Sequence, residues 1–169
     1  MKLNIKSKLI FGLLIVFGLG SCKKENISTK NNFPEIPVTV DNKWDVFTAP
    51  TVKTSLSGGG AISVVLSIPE SSGRTIKEIT RVAASTAYGS VQSTTGLYNT
   101  APIAGAGTKV TFNTTLAEYT AKTGAAAPTA ANAGTTAAAA ILTRNFYFLI
   151  TLDNGQTIVP TYVRVYVDK

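Results

Sequence analysis

The 169-residue chain reads as an all-β protein, an antiparallel β-sandwich. Three observations predict it. Apolar residues recur with period two in several short runs. Gly, Pro and Asn-Gly punctuate those runs. No stretch sustains the 3.6-residue apolar period of a long helix outside the extreme N-terminus.

In chain order, Lys2, Lys6 and Lys8 form a basic start, and Leu9 to Leu19 form an apolar run. That length suits the helical core of a secretory signal peptide and falls short of the ~20 residues that span a bilayer. Gly20 and Ser21 supply the small residues of a cleavage site, and Cys22, the only cysteine, follows at once. The stretch Leu19-Gly20-Ser21-Cys22 resembles the lipobox of bacterial lipoproteins. The resemblance implies a diacylglycerol on the Cys22 thiol, cleavage before it and acylation of the new N-terminus. The competing reading is a buried free thiol acting as a small core hydrophobe. One acyl chain holds a protein to a membrane only reversibly, at roughly 0.8 kcal/mol per buried methylene, whereas two or three hold it permanently. Residues 1–21 are thus expected to be a lipoprotein signal peptide, 22–37 the lipidated cysteine and a flexible tether ending near Pro34 and Pro37, and 38–169 the sandwich domain. By analogy with enteric lipoproteins, Lys23 in place of aspartate after the cysteine implies the outer membrane, on its periplasmic or cell-surface side. Lys23 and Lys24 are placed to meet lipid headgroups. A single cysteine rules out an intramolecular disulfide.

The domain opens with a short extended segment at 38–40 and a turn at Asp41-Asn42. Trp44, the only tryptophan, is expected to plug or cover a sheet, with ligand stacking as the alternative. Gly58-Gly59-Gly60 is a turn. In "AISVVLSIP", Ile62, Val64, Leu66 and Ile68 alternate with Ser63, Val65 and Ser67, which predicts a half-buried strand that Pro69 ends. Residues 75–85 predict a strand whose Lys77, Glu78 and Arg81 call for a wet face or an edge. Residues 108–115 predict a strand with Val110 and Phe112 inward, followed by one helical turn in "LAEYTAKTG". The alanine-rich segment 123–141 is broken by Pro128, Asn132 and Gly134 and reads as a surface loop with a helical turn near 136–140.

The C-terminal "NFYFLITLDNGQTIVPTYVRVYV" is two alternating runs around Asn154-Gly155, the pair favoured in a two-residue type I′ turn with φ > 0 at both positions. That loop predicts Ile150 opposite Val159, Phe148 opposite Thr161 and Phe146 opposite Val163 on the core side. It sets Tyr147 opposite Tyr162 and Asn145 opposite Arg164 on the other. Pro160 cannot donate to a ladder, so the last strand is expected at an edge or bulged there. This hairpin resembles the last two strands of immunoglobulin-like or fibronectin-type-III-like domains. Lipobox, tether and lone domain together resemble small outer-membrane immunoglobulin-like lipoproteins of glycan-foraging Gram-negative bacteria. Some of these are accessory proteins of polysaccharide uptake.

The chemistry of catalysis is sparse. The chain has no histidine, which removes the commonest general base and metal ligand. Asp41 and Asp45 flank a turn without the alternating acids of a calcium loop, and they read as turn caps, as does Asp153. "GAGTK" at 105–109 lacks the Gly-Lys-Ser/Thr of a phosphate loop and leads into a strand. No Gly-x-Ser-x-Gly elbow occurs. No catalytic residue, metal site or cofactor is expected. Without Lys2, Lys6 and Lys8, the 16 basic residues fall to 13 against 9 acidic. They are scattered, without the basic stripe of a nucleic-acid binder.

What remains is surface. Tyr147, Tyr162 and Tyr166, with Arg164 and Asn145, are expected to share the outer face of the hairpin as a candidate ligand face. Aromatic rings beside hydrogen-bonding groups suit sugars, although cross-strand aromatic pairs also simply stabilise sheets. The expected function is a membrane-anchored, non-catalytic binding or accessory module for a glycan or an outer-membrane partner protein. The alternative is a structural adhesin or pilin-type subunit that assembles by strand addition.

Overall fold

A computed structural model describes residues 36–44, 49–135 and 138–169. The signal segment 1–21, Cys22, most of the tether 22–37, Asp45 and part of the turn expected at 136–140 lie outside the described residues.

The described residues form β1 (Thr39–Val40), β2 (Thr51–Ser55), β3 (Ala61–Ser67), β4 (Ile76–Ser85), β5 (Ile103–Ala104), β6 (Lys109–Thr115), β7 (Asn145–Leu152), β8 (Thr157–Ile158) and β9 (Arg164–Asp168). Helix α1 (Leu116–Thr123) and three short 3-10 turns are the only helical pieces among them. The strands assemble as sheets β1-β3-β6 and β5-β4-β7-β8 and a ribbon β2-β9. The all-β expectation therefore holds, and the pairing is antiparallel with one correction. β2 and β9 run parallel, from Thr51 opposite Arg164 to Ser55 opposite Asp168. Parallel neighbours need a long crossover, and almost the whole domain lies between these two strands.

Period two becomes a core. Ile62, Val64 and Leu66 of β3, Val110 and Phe112 of β6, and Phe146, Phe148, Ile150 and Leu152 of β7 are all buried in one cluster. The Phe112 ring lies 5.2 Å from that of Phe146 and 5.5 Å from that of Phe148, so the inner faces of the two larger sheets meet there. Each such side chain contributes roughly 1.5–3 kcal/mol by leaving water. Two tyrosines join this core because their hydroxyls find partners. Tyr98 Oη lies 2.6 Å from Thr114 Oγ1, and the Arg144 N–H donates to Tyr119 Oη at 3.0 Å. Burial pushes the Tyr98 hydroxyl above its ordinary pKa.

α1 is longer than the single turn expected, because Thr115 and Glu118 form the start of a capping box. The Glu118 N–H donates to Thr115 Oγ1 at 3.1 Å, and Gly124 ends the helix in the left-handed conformation. β4 is not an edge strand: β5 and β7 flank it, and its charged residues occupy the wet face instead. "GAGTK" is the connection from β5 to β6. A Cβ on Gly105 would lie 2.0 Å from the Ile76 carbonyl oxygen, so glycine is there to let two backbones touch.

The hairpin register needs correction. Its loop has three residues, since the Gly155 N–H donates to the Leu152 carbonyl and the Leu152 N–H to the Gln156 carbonyl. Gly155 alone takes positive φ, at 83°, and Asn154 does not. That is a turn followed by a glycine bulge, and it pairs Ile150 with Ile158 rather than Val159. Pairing then lapses around Pro160, which absorbs one residue, and resumes with Phe146 opposite Val163 as predicted.

Strand edges are closed by side chains. The Val65 N–H donates to Asn42 Oδ1 at 3.0 Å, while Asn42 Nδ2 donates to the Ser63 carbonyl at 2.8 Å. Asn99 repeats the device on β4, accepting from the Val82 N–H at 2.6 Å and donating to the Thr80 carbonyl at 3.2 Å. The alanine-rich segment lies along β9. The Gly134 N–H donates to the Val167 carbonyl and the Leu142 N–H to the Val165 carbonyl, both at 3.0 Å. It is more than a loose loop: Ala133 and Ala140 are fully buried.

Candidate ligand-binding face

Alternation along β7 sends Asn145, Tyr147, Leu149 and Thr151 to the side away from the core. Across the ladder stand Ser85, Ala83, Arg81 and Glu78 of β4. The 3-10 turn Tyr88–Gln92 folds back over this outer face and lowers Val91 onto it. Val91, Ala83 and Tyr147 form a second, small apolar cluster, rimmed by Leu149, Val159 and Tyr162. Arg81 Nη1 pins the turn by donating to the Gln92 carbonyl at 2.7 Å.

The tyrosines divide. Tyr147 and Tyr162 meet as predicted, with ring centroids 5.7 Å apart, and the Arg164 guanidinium lies 5.8 Å from the Tyr162 ring. Tyr147 is only 3% exposed, however, because Val91 and Tyr88 cover it. Tyr166 is withdrawn from the expected exposed face. It points outward as the alternation requires but is 5% exposed, stacked 4.6 Å from Trp44, with its hydroxyl donating to the Thr135 carbonyl at 2.7 Å. Trp44 thus covers a sheet, the first of its two expected roles, and Lys53 lies 5.2 Å over its ring.

Tyr88 was not among the expected site residues. It stacks edge-on against Tyr147 at 5.7 Å and stays 54% exposed. It extends the row to Tyr88, Tyr147, Tyr162 and Arg164. Its only sequence signal is an aromatic residue followed by glycine in an aperiodic stretch between strands.

Two shallow grooves flank the row. One, of about 310 Å³, is lined by Arg81, Gln92, Leu149, Thr157 and Val159. The other, of about 380 Å³, is lined by Ala138, Ile141, Leu142, Thr143, Asn145 and Arg164. It brings together two of the expected residues, Asn145 and Arg164. A third groove, of about 220 Å³, has Tyr98, Ile103 and Asn113 among its lining residues.

The charges near these grooves differ from those elsewhere. Three carboxylates sit in ion pairs with lysines: Asp168 with Lys53 at 2.6 Å, Asp41 with Lys109 at 2.8 Å and Glu118 with Lys122 at 2.7 Å. Each lysine holds its carboxyl below the ordinary value, and Asp41 gains further from the hydroxyl of Ser67. Arg164 has no carboxylate within ion-pair range among the described residues. No group of three potential metal ligands occurs among the described residues, and no helix there is long and apolar enough to cross a membrane. No protein-family model, no curated protein and no solved structure matches the chain.

Proposed function

We propose that the chain is a lipid-anchored, non-catalytic binding module of the outer membrane, with an immunoglobulin-like or fibronectin-type-III-like domain that binds glycan through its outer β4–β7 face. The row Tyr88, Tyr147, Tyr162 and Arg164, with Tyr88 half out in water, carries the reading. Tyr147 serves as the fixed base of the row, and Tyr88 and Tyr162 offer ring surface to a sugar's C–H face. An open face buries little ligand, so a single site binds weakly. The anchor rests on Leu19-Gly20-Ser21-Cys22, and the absence of histidine from the sequence supports a non-catalytic role. Electrophoresis of the detergent-solubilised full chain through gels containing polysaccharides tests the face. Retardation that Tyr88→Ala/Tyr162→Ala removes supports it, and retardation unchanged in that double variant sinks it. Mass spectrometry of the membrane fraction tests the anchor, which an intact, unacylated Cys22 would refute.

A second reading, a subunit assembling by strand addition, is favoured by the edge of β6. Leu116 N–H donates to the Gly60 carbonyl and Ile68 N–H to the Thr108 carbonyl, which sets alternate β6 residues toward β3. The peptide groups of Thr111 and Asn113 therefore face away, and they meet no backbone partner among the described residues. Such an edge accepts an extended peptide. Detergent-resistant ladders of polymer on a gel favour this reading, and a monomer favours the first.

A further inference from the structure

We infer that the groove between Asn145 and Arg164 is a subsite for an acidic sugar unit, one bearing a carboxylate; this rests on the glycan reading above and names the class of ligand. Ala138, Ile141 and Leu142 are the apolar part of the groove's lining. Thr143, Asn145 and Arg164 are the polar part. None of these three side chains has a hydrogen-bond partner within the protein among the described residues, so their donors are free for a ligand. The volume, about 380 Å³, lies at the small end of ligand sites, roughly 300–1,000 Å³. A lining that combines apolar surface with donors suits a pyranose, which presents both C–H faces and oxygens.

The charge decides the class. Arg164 is the only ionised group lining the groove. It is half-buried, flanked by the Tyr162 ring, and no carboxylate among the described residues neutralises it. Among the described residues, the cation–carboxylate pairs all use lysine. A guanidinium is planar and offers a two-pronged donor that matches a carboxylate, whereas an ammonium does not. The backbone of Arg164 is held in place: Phe146 pairs with Val163 one residue before it, and the Arg164 N–H donates to the Pro50 carbonyl at 2.9 Å. A neutral sugar would leave this charge uncompensated beneath it, and a uronate would not.

The test is calorimetric titration of the detergent-solubilised full chain with oligogalacturonate and with the same oligomer fully methyl-esterified, which keeps the ring and removes the charge. The acid is expected to bind about tenfold or more tightly than the ester, as charge-assisted hydrogen bonds warrant. Arg164→Gln should erase that difference, bringing the affinity for the acid down to that for the ester. Arg164→Lys should recover only part of it. Asn145→Ala should weaken both ligands. A melting curve checks that each variant is folded. Equal affinity for acid and ester, or a preference that Arg164→Gln leaves intact, overturns the acidic subsite and leaves the glycan reading standing. Dextran sulfate binding as tightly as the uronate in both wild type and Arg164→Gln also overturns it, because net positive charge then explains retention. Binding of neither oligomer, together with no retardation by any polysaccharide, overturns both readings.

Discussion

The two faces of β7 are built from one strand and follow different rules. Phe146, Phe148, Ile150 and Leu152 pack beneath a whole opposing sheet, and each is fully excluded from water. Asn145, Tyr147, Leu149 and Thr151, one residue out of step, are covered by little more than the five residues Tyr88–Gln92. The inner face is closed by area and needs only apolar volume. The outer face is closed by a pin, Arg81 on the Gln92 carbonyl, and leaves ring edges in water. A strand can therefore be structural on one side and available on the other, because alternation separates the two roles at the level of single residues.

The largest break in this contrast is Phe148→Ala. It empties a fully buried ring site between the sheets and should cost about 3–5 kcal/mol in denaturant unfolding. Tyr147→Ala removes a ring of similar size from the thinner layer, where the 3-10 turn is able to settle inward, and should cost about 2 kcal/mol by the same measurement. If Tyr147→Ala proves the more damaging, the ranking of the two faces is reversed. Acid should spare both faces, since neither rests on an ion pair. One acid-sensitive contact is Asp41 at the β1 rim, held below its ordinary value chiefly by the hydrogen bond from Lys109. A lowered carboxyl contributes stability at pH above its unfolded value, and that contribution is lost as pH falls through the folded value. Unfolding followed from about pH 5 to pH 2 should therefore show a drop that Asp41→Asn makes shallower, its share being no more than about 1 kcal/mol for a surface pair. Smallest in stability is Tyr88→Ala, within about 0.5 kcal/mol of wild type, yet it should remove much of the polysaccharide retardation. A large loss of stability there would make Tyr88 part of the packing rather than of the ligand face.

Much of this was legible because period two is a local signal. β3, β6 and the inner face of β7 emerge from Ile62, Val64, Leu66, Val110, Phe112, Phe146 and Phe148 in the order the chain supplies them. The hairpin turn misled because Asn-Gly serves two loop types. Only the φ of Gly155, positive while that of Asn154 is not, separates them. The union of β2 with β9 had no local signal at all, since it joins residues more than a hundred positions apart. Tyr166 was placed on the correct side, but its cover comes from Trp44 and Thr135, both remote in sequence. Tyr88 escaped for the converse reason: its aperiodic stretch matters only after β4 and β7 have made a floor for it.

The asparagine-stoppered edges set the valency of the molecule. Of the four strands that end the two larger sheets, β1, β5 and β8 are two residues long and β6 is seven. Asn42 and Asn99 extend the first two closures, because a carboxamide is at once the donor and the acceptor that a peptide edge lacks. A particle with one long open edge pairs once, edge to edge, and stops at two; a particle with two such edges grows into fibres. Two carboxamides thus bear on whether edge contacts between copies end in pairs or in deposits.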